Sequence, residues 1–171
     1  MKPIGVMFGR PVAQFWEDIE LWEKVLNSWE DRLNWILELG TWQGGFSFYL
    51  FAQASARGME FTTLDNKKPD KFTAGFVTWD VMNELPEFVA DSYKQKPGVV
   101  FCDNGDKPAE VKLYIERVHP ESLFAVHDWG TEFNPVNIPT SLAACNYSST
   151  TIFLAEKEFL TRIGKAAFSF K

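Results

Sequence analysis

The chain has 171 residues, of which 46% are apolar and seven are tryptophan, a composition that builds a full core and opposes disorder. A net charge of −6 and a pI near 5.0 exclude a nonspecific nucleic-acid binder, which needs clustered Lys and Arg against phosphate. No apolar run approaches the roughly 20 residues of a membrane span, no apolar signal core follows Met1-Lys2-Pro3, and Cys102 and Cys145 are too few for a disulfide framework; the chain reads as a reduced, cytoplasmic protein without a membrane partner.

In chain order, Val12, Phe15, Trp16, Ile19, Trp22, Val25, Leu26 and Trp29 recur at spacings of three and four, which predicts an amphipathic helix. Residues 1–33 would then cover one side of a sheet, with Glu17, Asp18 and Glu20 on a solvated face. From Asn34 onward, short apolar runs alternate with helical stretches. Strands are expected at Trp35–Leu39, Phe61–Leu64, Gly75–Trp79, Val99–Cys102 and Leu123–Val126. Helices are expected at Phe46–Arg57, Leu85–Tyr93 and Ala109–His119, the last with Pro108 at its start and Pro120 at its stop. Alternation of this kind implies right-handed crossovers and a mainly parallel sheet. The tail breaks the pattern: Thr151–Leu154 and Ala166–Phe170 flank a polar stretch with Gly164 and read as an antiparallel hairpin. No linker or repeat divides the chain, so one domain spans 1–171.

Chemistry gathers at the strand ends. Trp35–Leu39 carries Glu38 and runs into Gly40, Thr41, Gly44 and Gly45 before the helix, a strand-turn-helix in which backbone amides face a ligand. Gly40-x-x-x-Gly44 is not the G-x-G-x-x-G spacing of a dinucleotide fold, which argues against a nicotinamide oxidoreductase. Asp65 ends the second strand, 25 residues after Gly40, where a carboxylate can accept hydrogen bonds from a ribose diol or form a turn with Asn66. Asp80 ends the third strand, where it can cap the next helix. Asp103 follows strand four; His127 and Asp128 follow strand five. Ligands of open α/β sheets bind at this edge, so all of these converge. His127 can take a proton at neutral pH or brace its loop, whereas His119 ends a helix at the opposite edge.

The element Glu38-x-Gly40-x-x-x-Gly44 resembles motif I of class I S-adenosylmethionine-dependent methyltransferases. Asp103-Asn-Gly-Asp106 followed by His127-Asp-Trp129 is similar to the small-molecule O-methyltransferases of the macrocin O-methyltransferase and cephalosporin hydroxylase-like type. The resemblance covers most of the chain and implies a Rossmann-like α/β fold with a seven-stranded sheet ordered 3-2-1-4-5-7-6. It implies S-adenosylmethionine held by Glu38, Gly40, Thr41, Gly44, Gly45, Asp65 and Asp80, with catalysis by Asp103, His127 and Asp128. More distant similarity to catechol and caffeoyl-CoA O-methyltransferases implies Mg²⁺ on Asp103 and Asp128, although Trp129 stands where a third ligand belongs. The implied reaction is O-methylation of a small hydroxylated acceptor. The alternative is a protein of the same fold that binds the cofactor without methyl transfer. Neither the acceptor's identity nor an oligomeric state is written in the residue pattern.

Overall fold

The computed structural model describes residues 5–69, 74–83 and 87–165. Its chain opens with a hairpin, β1 (Gly5–Met7) against β2 (Arg10–Val12), followed by α1 (Trp16–Trp29). Next come β3 (Trp35–Leu39), α2 (Gly45–Ala56), β4 (Glu60–Asp65) and β5 (Phe76–Thr78). Then follow α3 (Glu87–Gln95), β6 (Val99–Cys102), α4 (Lys107–Tyr114) and β7 (Leu123–His127). The chain finishes its described course with β8 (Leu142–Tyr147), β9 (Thr151–Glu156) and α5 (Lys157–Arg162).

One seven-stranded sheet runs β5-β4-β3-β6-β7-β9-β8. Counted within that sheet, the order is 3-2-1-4-5-7-6, as expected. The first five strands are parallel, and β9 is antiparallel to both β7 and β8. The central strands β3, β6 and β7 are buried throughout, and apolar but for Glu38 and His127, because helices cover both faces. Ile36, Phe101, Ala125 and Phe153 pack under α1 and α2 with Trp22, Leu26 and Leu50. Leu37, Val100, Cys102 and Val126 pack on the other side with Tyr93, Val111 and Tyr114. Trp22 is fully buried and stands edge-on to Phe101 and Phe153; burying a side chain of that size stabilises the fold by about 3 kcal/mol.

Four expectations change. The helix of the N-terminal segment starts only at Trp16; Val12 lies in β2, and Trp16 is 64% exposed rather than part of the buried stripe. Asp18 is not on a solvated face. It is fully buried, accepts from the Phe15 amide at 2.9 Å, and receives the hydroxyls of Ser148 and Thr150 at 2.7 and 2.8 Å. The helix expected at Ala109–His119 begins at Lys107, because Asp106 caps it by accepting from the Ala109 amide at 3.1 Å, and it ends already at Tyr114. Finally, β9 takes its hairpin partner from upstream, β8, through the turn at Ser148–Thr150. The polar stretch after β9 forms α5, and Ala166–Phe170 lies outside the described residues, as does Leu85 at the head of the third helix.

Candidate functional site

The carboxyl ends of β3, β4, β6 and β7 open into a cleft of about 390 Å³. Glu38, Gly40, Thr41, Gly45 and Asp65 line one half of it. Asp103, His127 and Asp128 line the other half, and residues 11–14 of the N-terminal segment form a wall. A second cleft of about 340 Å³ shares Trp42 and Asp65 with the first and continues toward Lys68. Asp80 lies apart, in a shallow depression with Asn66 and Asn83, where its Oδ1 accepts from the Met82 amide at 3.0 Å. Gly44 does not face the cleft; it sits at the N-cap of α2 with φ 75°.

The glycine half is held by backbone. Asp65 Oδ2 accepts from the amides of Thr41 and Trp42 at 2.9 and 3.1 Å, and Oδ1 from the Lys67 amide at 2.9 Å. The carboxylate therefore ties the loop to the end of β4 and keeps lone pairs for a ligand. A Cβ on Gly40 would stand 2.6 Å from the Asp103 carbonyl oxygen, at φ +98°. That glycine lets β3 and β6 close on each other at the cleft floor. On Gly45 a Cβ would meet the Pro11 carbonyl oxygen at 2.4 Å, so its bareness seats β2 rather than a ligand. Thr41 and Thr63 join hydroxyls at 2.6 Å. Glu38 is 2% exposed, and its Oε2 has no partner among the described residues. Burial raises its pKa from 4.5 to about 8, against the opposing hydrogen bonds of Ser47 and Thr63. Burial therefore favours its protonated form at the cleft wall.

The other half is held by charged side chains. Asp103 Oδ1 meets His127 Nδ1 at 2.9 Å, and Asp103 Oδ2 accepts from Gln14 Nε2 at 2.8 Å. Asp128, at φ 56°, turns its Oδ2 to Lys107 Nζ at 2.9 Å and to His127 Nδ1 at 3.6 Å. Glu132 also accepts from Lys107 Nζ. Burial works against the His127 cation, but Asp103, Asp128 and Asp18 outweigh it and raise its pKa. Burial raises the Asp103 carboxyl, and the His127 hydrogen bond partly offsets it. His127 Nδ1 is thus engaged by Asp103, and Nε2 is buried with no partner among the described residues. Asp106 Oδ1 caps α4.

Gln14, Trp42, Lys107 and Glu132 escaped the sequence reading. Lys107 sits four residues after Asp103, directly behind the Asp103-Asn-Gly-Asp106 motif, and that proximity was the available signal. Nothing in the local pattern around Gln14 points to a residue 89 positions away.

No family model matches the sequence, and no curated protein matches it. Solved structures do. The chain is similar to an S-adenosyl-L-methionine methyl transferase from Silicibacter pomeroyi DSS-3 at 14% identity and TM-score 0.57, over 82% of this chain and 92% of that one. A putative ribosomal RNA methyltransferase from Plasmodium falciparum matches at 13% identity and TM-score 0.55, over 81% and 92%. The MycE methyltransferase of the mycinamycin biosynthetic pathway, solved with Mg, SAH and mycinamycin VI, matches at 13% identity and TM-score 0.56. That match covers 82% of this chain, which spans only 46% of MycE. At such identities the likeness concerns architecture: the chain has the Rossmann-like fold in which these methyltransferases are built.

Proposed function

We propose that this chain is an S-adenosylmethionine-dependent methyltransferase that acts as one domain in the cytoplasm and methylates a hydroxyl of a small molecule. The observation that carries the reading is a single cleft at the carboxyl edge joining a loop held by Asp65 to the Asp103–His127–Asp128 group. The motif resemblance to macrocin O-methyltransferase-type enzymes supports a small acceptor, and the acidic surface argues against nucleic acid.

S-adenosylmethionine supplies an electrophilic methyl group, which passes to the acceptor oxygen as the methyl–sulfur bond breaks and its electron pair returns to sulfur. The residues of this chain do the rest by positioning and by handling one proton. Asp65 and the amides of the Gly40–Gly45 loop hold the adenosine side. Asp80 lies too far round the edge to line the main cleft, so its contact is confined to the adenine end. Glu38 presents an uncommitted oxygen to the cofactor's amino-acid end. Asp103, partly exposed in the cleft, takes the acceptor's hydroxyl proton. His127 orients that carboxylate through Nδ1 and stabilises its charged form before transfer.

The Mg²⁺ implied by the resemblance is a poor fit. Ligand atoms of Asp103, His127 and Asp128 do lie within 4.8 Å of one another. Mg²⁺, however, asks for oxygen donors in an octahedron. Here one donor is an imidazole already bonded to Asp103, and Asp128 is bonded to an ammonium. No step is therefore routed through a metal.

Calorimetry with S-adenosylmethionine, followed by a metabolite-library screen for S-adenosylhomocysteine formation, tests the reading. Saturable binding and turnover on a hydroxylated compound are expected. Absence of cofactor binding at millimolar concentration would sink it, and binding without turnover on any acceptor would favour a cofactor-binding role instead.

A further inference from the structure

We propose that Lys107 is a built-in cation that takes the charge position of a divalent metal at the ends of β6 and β7. Its ammonium bridges Asp128 and Glu132 in a side chain only 4% exposed, at the first residue of α4. Together with the imidazole on Asp103, it gives each carboxylate of the cluster a cationic or hydrogen-bonding partner. Carboxylates held close together need a cation or a proton between them, and this chain carries the cation covalently. A metal on Asp128 would face a buried ammonium within van der Waals reach of its own ligand, and like charges at that distance repel strongly. An ammonium has three N–H donors; the two carboxylates take two, which leaves the third, and Lys107 is among the residues that line the cleft. That N–H is available to an acceptor oxygen as it gives up its proton. This last assignment rests on the methyl-transfer reading, whereas the charge substitution does not.

The test is Mn²⁺ binding to chelator-treated protein, read from the electron paramagnetic resonance of the free ion. Wild type should show no saturable site at millimolar Mn²⁺. Lys107→Met, with folding checked by its melting curve, frees Asp128 and should acquire a site that the added substitution Asp128→Asn removes. A folded Lys107→Met protein that gains no site overturns the inference. So does saturable binding to wild type that Asp128→Asn abolishes, a result that stands even if the lysine variants do not fold. Calorimetry with S-adenosylmethionine on the same chelated sample separates the two readings. Cofactor binding beside a wild-type Mn²⁺ site sinks the internal cation alone. No cofactor binding and no Mn²⁺ site sinks the methyltransferase reading and upholds the internal cation.

Discussion

The two halves of the cleft are built from different materials. Around Gly40–Gly45 the contacts are backbone amides gathered by one carboxylate, Asp65. Around Asp103 they are side-chain charges set against each other: Asp103 on His127, and Asp128 and Glu132 on Lys107. A backbone site tolerates changes of side chain but not of Cβ volume or φ. A charge site tolerates changes of volume but not the loss of one partner, because the other is then left buried and uncompensated. Glu38 and Gly40 sit where the halves meet, and substitutions there should disturb both.

The largest effect is expected at Glu38. Its folded pKa near 8 stands above the ordinary 4.5, so the folded chain keeps a proton that the unfolded chain releases. Stability from this group is therefore highest at low pH and falls as pH rises from 4.5 through about 8, by up to the order of 5 kcal/mol at 1.36 kcal/mol per pKa unit. His127, with its raised value, acts in the same direction: its contribution is full below about 6.5 and lost as pH passes its folded pKa. In urea midpoints measured across that range, Glu38→Gln should flatten most of the slope; an unchanged slope would mean that Glu38 is ionised in the fold. Next comes the charge half alone. Asp103→Asn should lower turnover by about 10²–10⁴-fold while S-adenosylmethionine affinity stays within a few-fold, and equal losses in both would merge the halves into one. Gly40→Ala should destabilise by roughly 2–4 kcal/mol from left-handed strain and overpacking, read as a lower melting temperature whether or not cofactor is present. Asp65→Ala should weaken cofactor binding by roughly 1–3 kcal/mol and leave any pH profile of turnover in place. Smallest is Cys145→Ala, expected to cost about 1 kcal/mol of stability and no turnover; a large rate loss there would revive a thiol mechanism.

The backbone half was legible in the sequence for the same reason that it is robust: glycines at fixed spacing between an apolar strand and a helix carry their geometry locally. The parallel strands were legible because each is a short run of mainly apolar and β-branched residues between turn residues, interrupted in β3 only by Glu38. The charge half was legible only as acids. Asp103 and Asp128 could be placed at adjacent strand ends, but Lys107 acquires its meaning from Glu132, a loop residue 25 positions on. His127 could be placed at the same edge, but that its Nδ1 meets Asp103 is a matter of side-chain direction, which no spacing reports. β1 and β2 are three residues each, too short for alternation to declare itself. β8 was hidden by its small residues and by a register break between Ala144 and Asn146; β9 was found, but its partner was sought on the wrong side.

The buried Asp18 joins the start of the chain to its late hairpin, through contacts spanning 130 and 132 positions, and Gln14 reaches Asp103 across 89. Contacts of such sequence separation are slow to form, because the loop must close before the bond rewards it. The wall at residues 11–14 is therefore expected to be the last part of the cleft to set during folding. A chain still on the ribosome, with β8 and β9 unsynthesised, would hold the glycine loop and β4 in place while α1 remained undocked. Pulse-labelling hydrogen exchange during refolding should accordingly find the amides of β3 and β4 protected before those of α1.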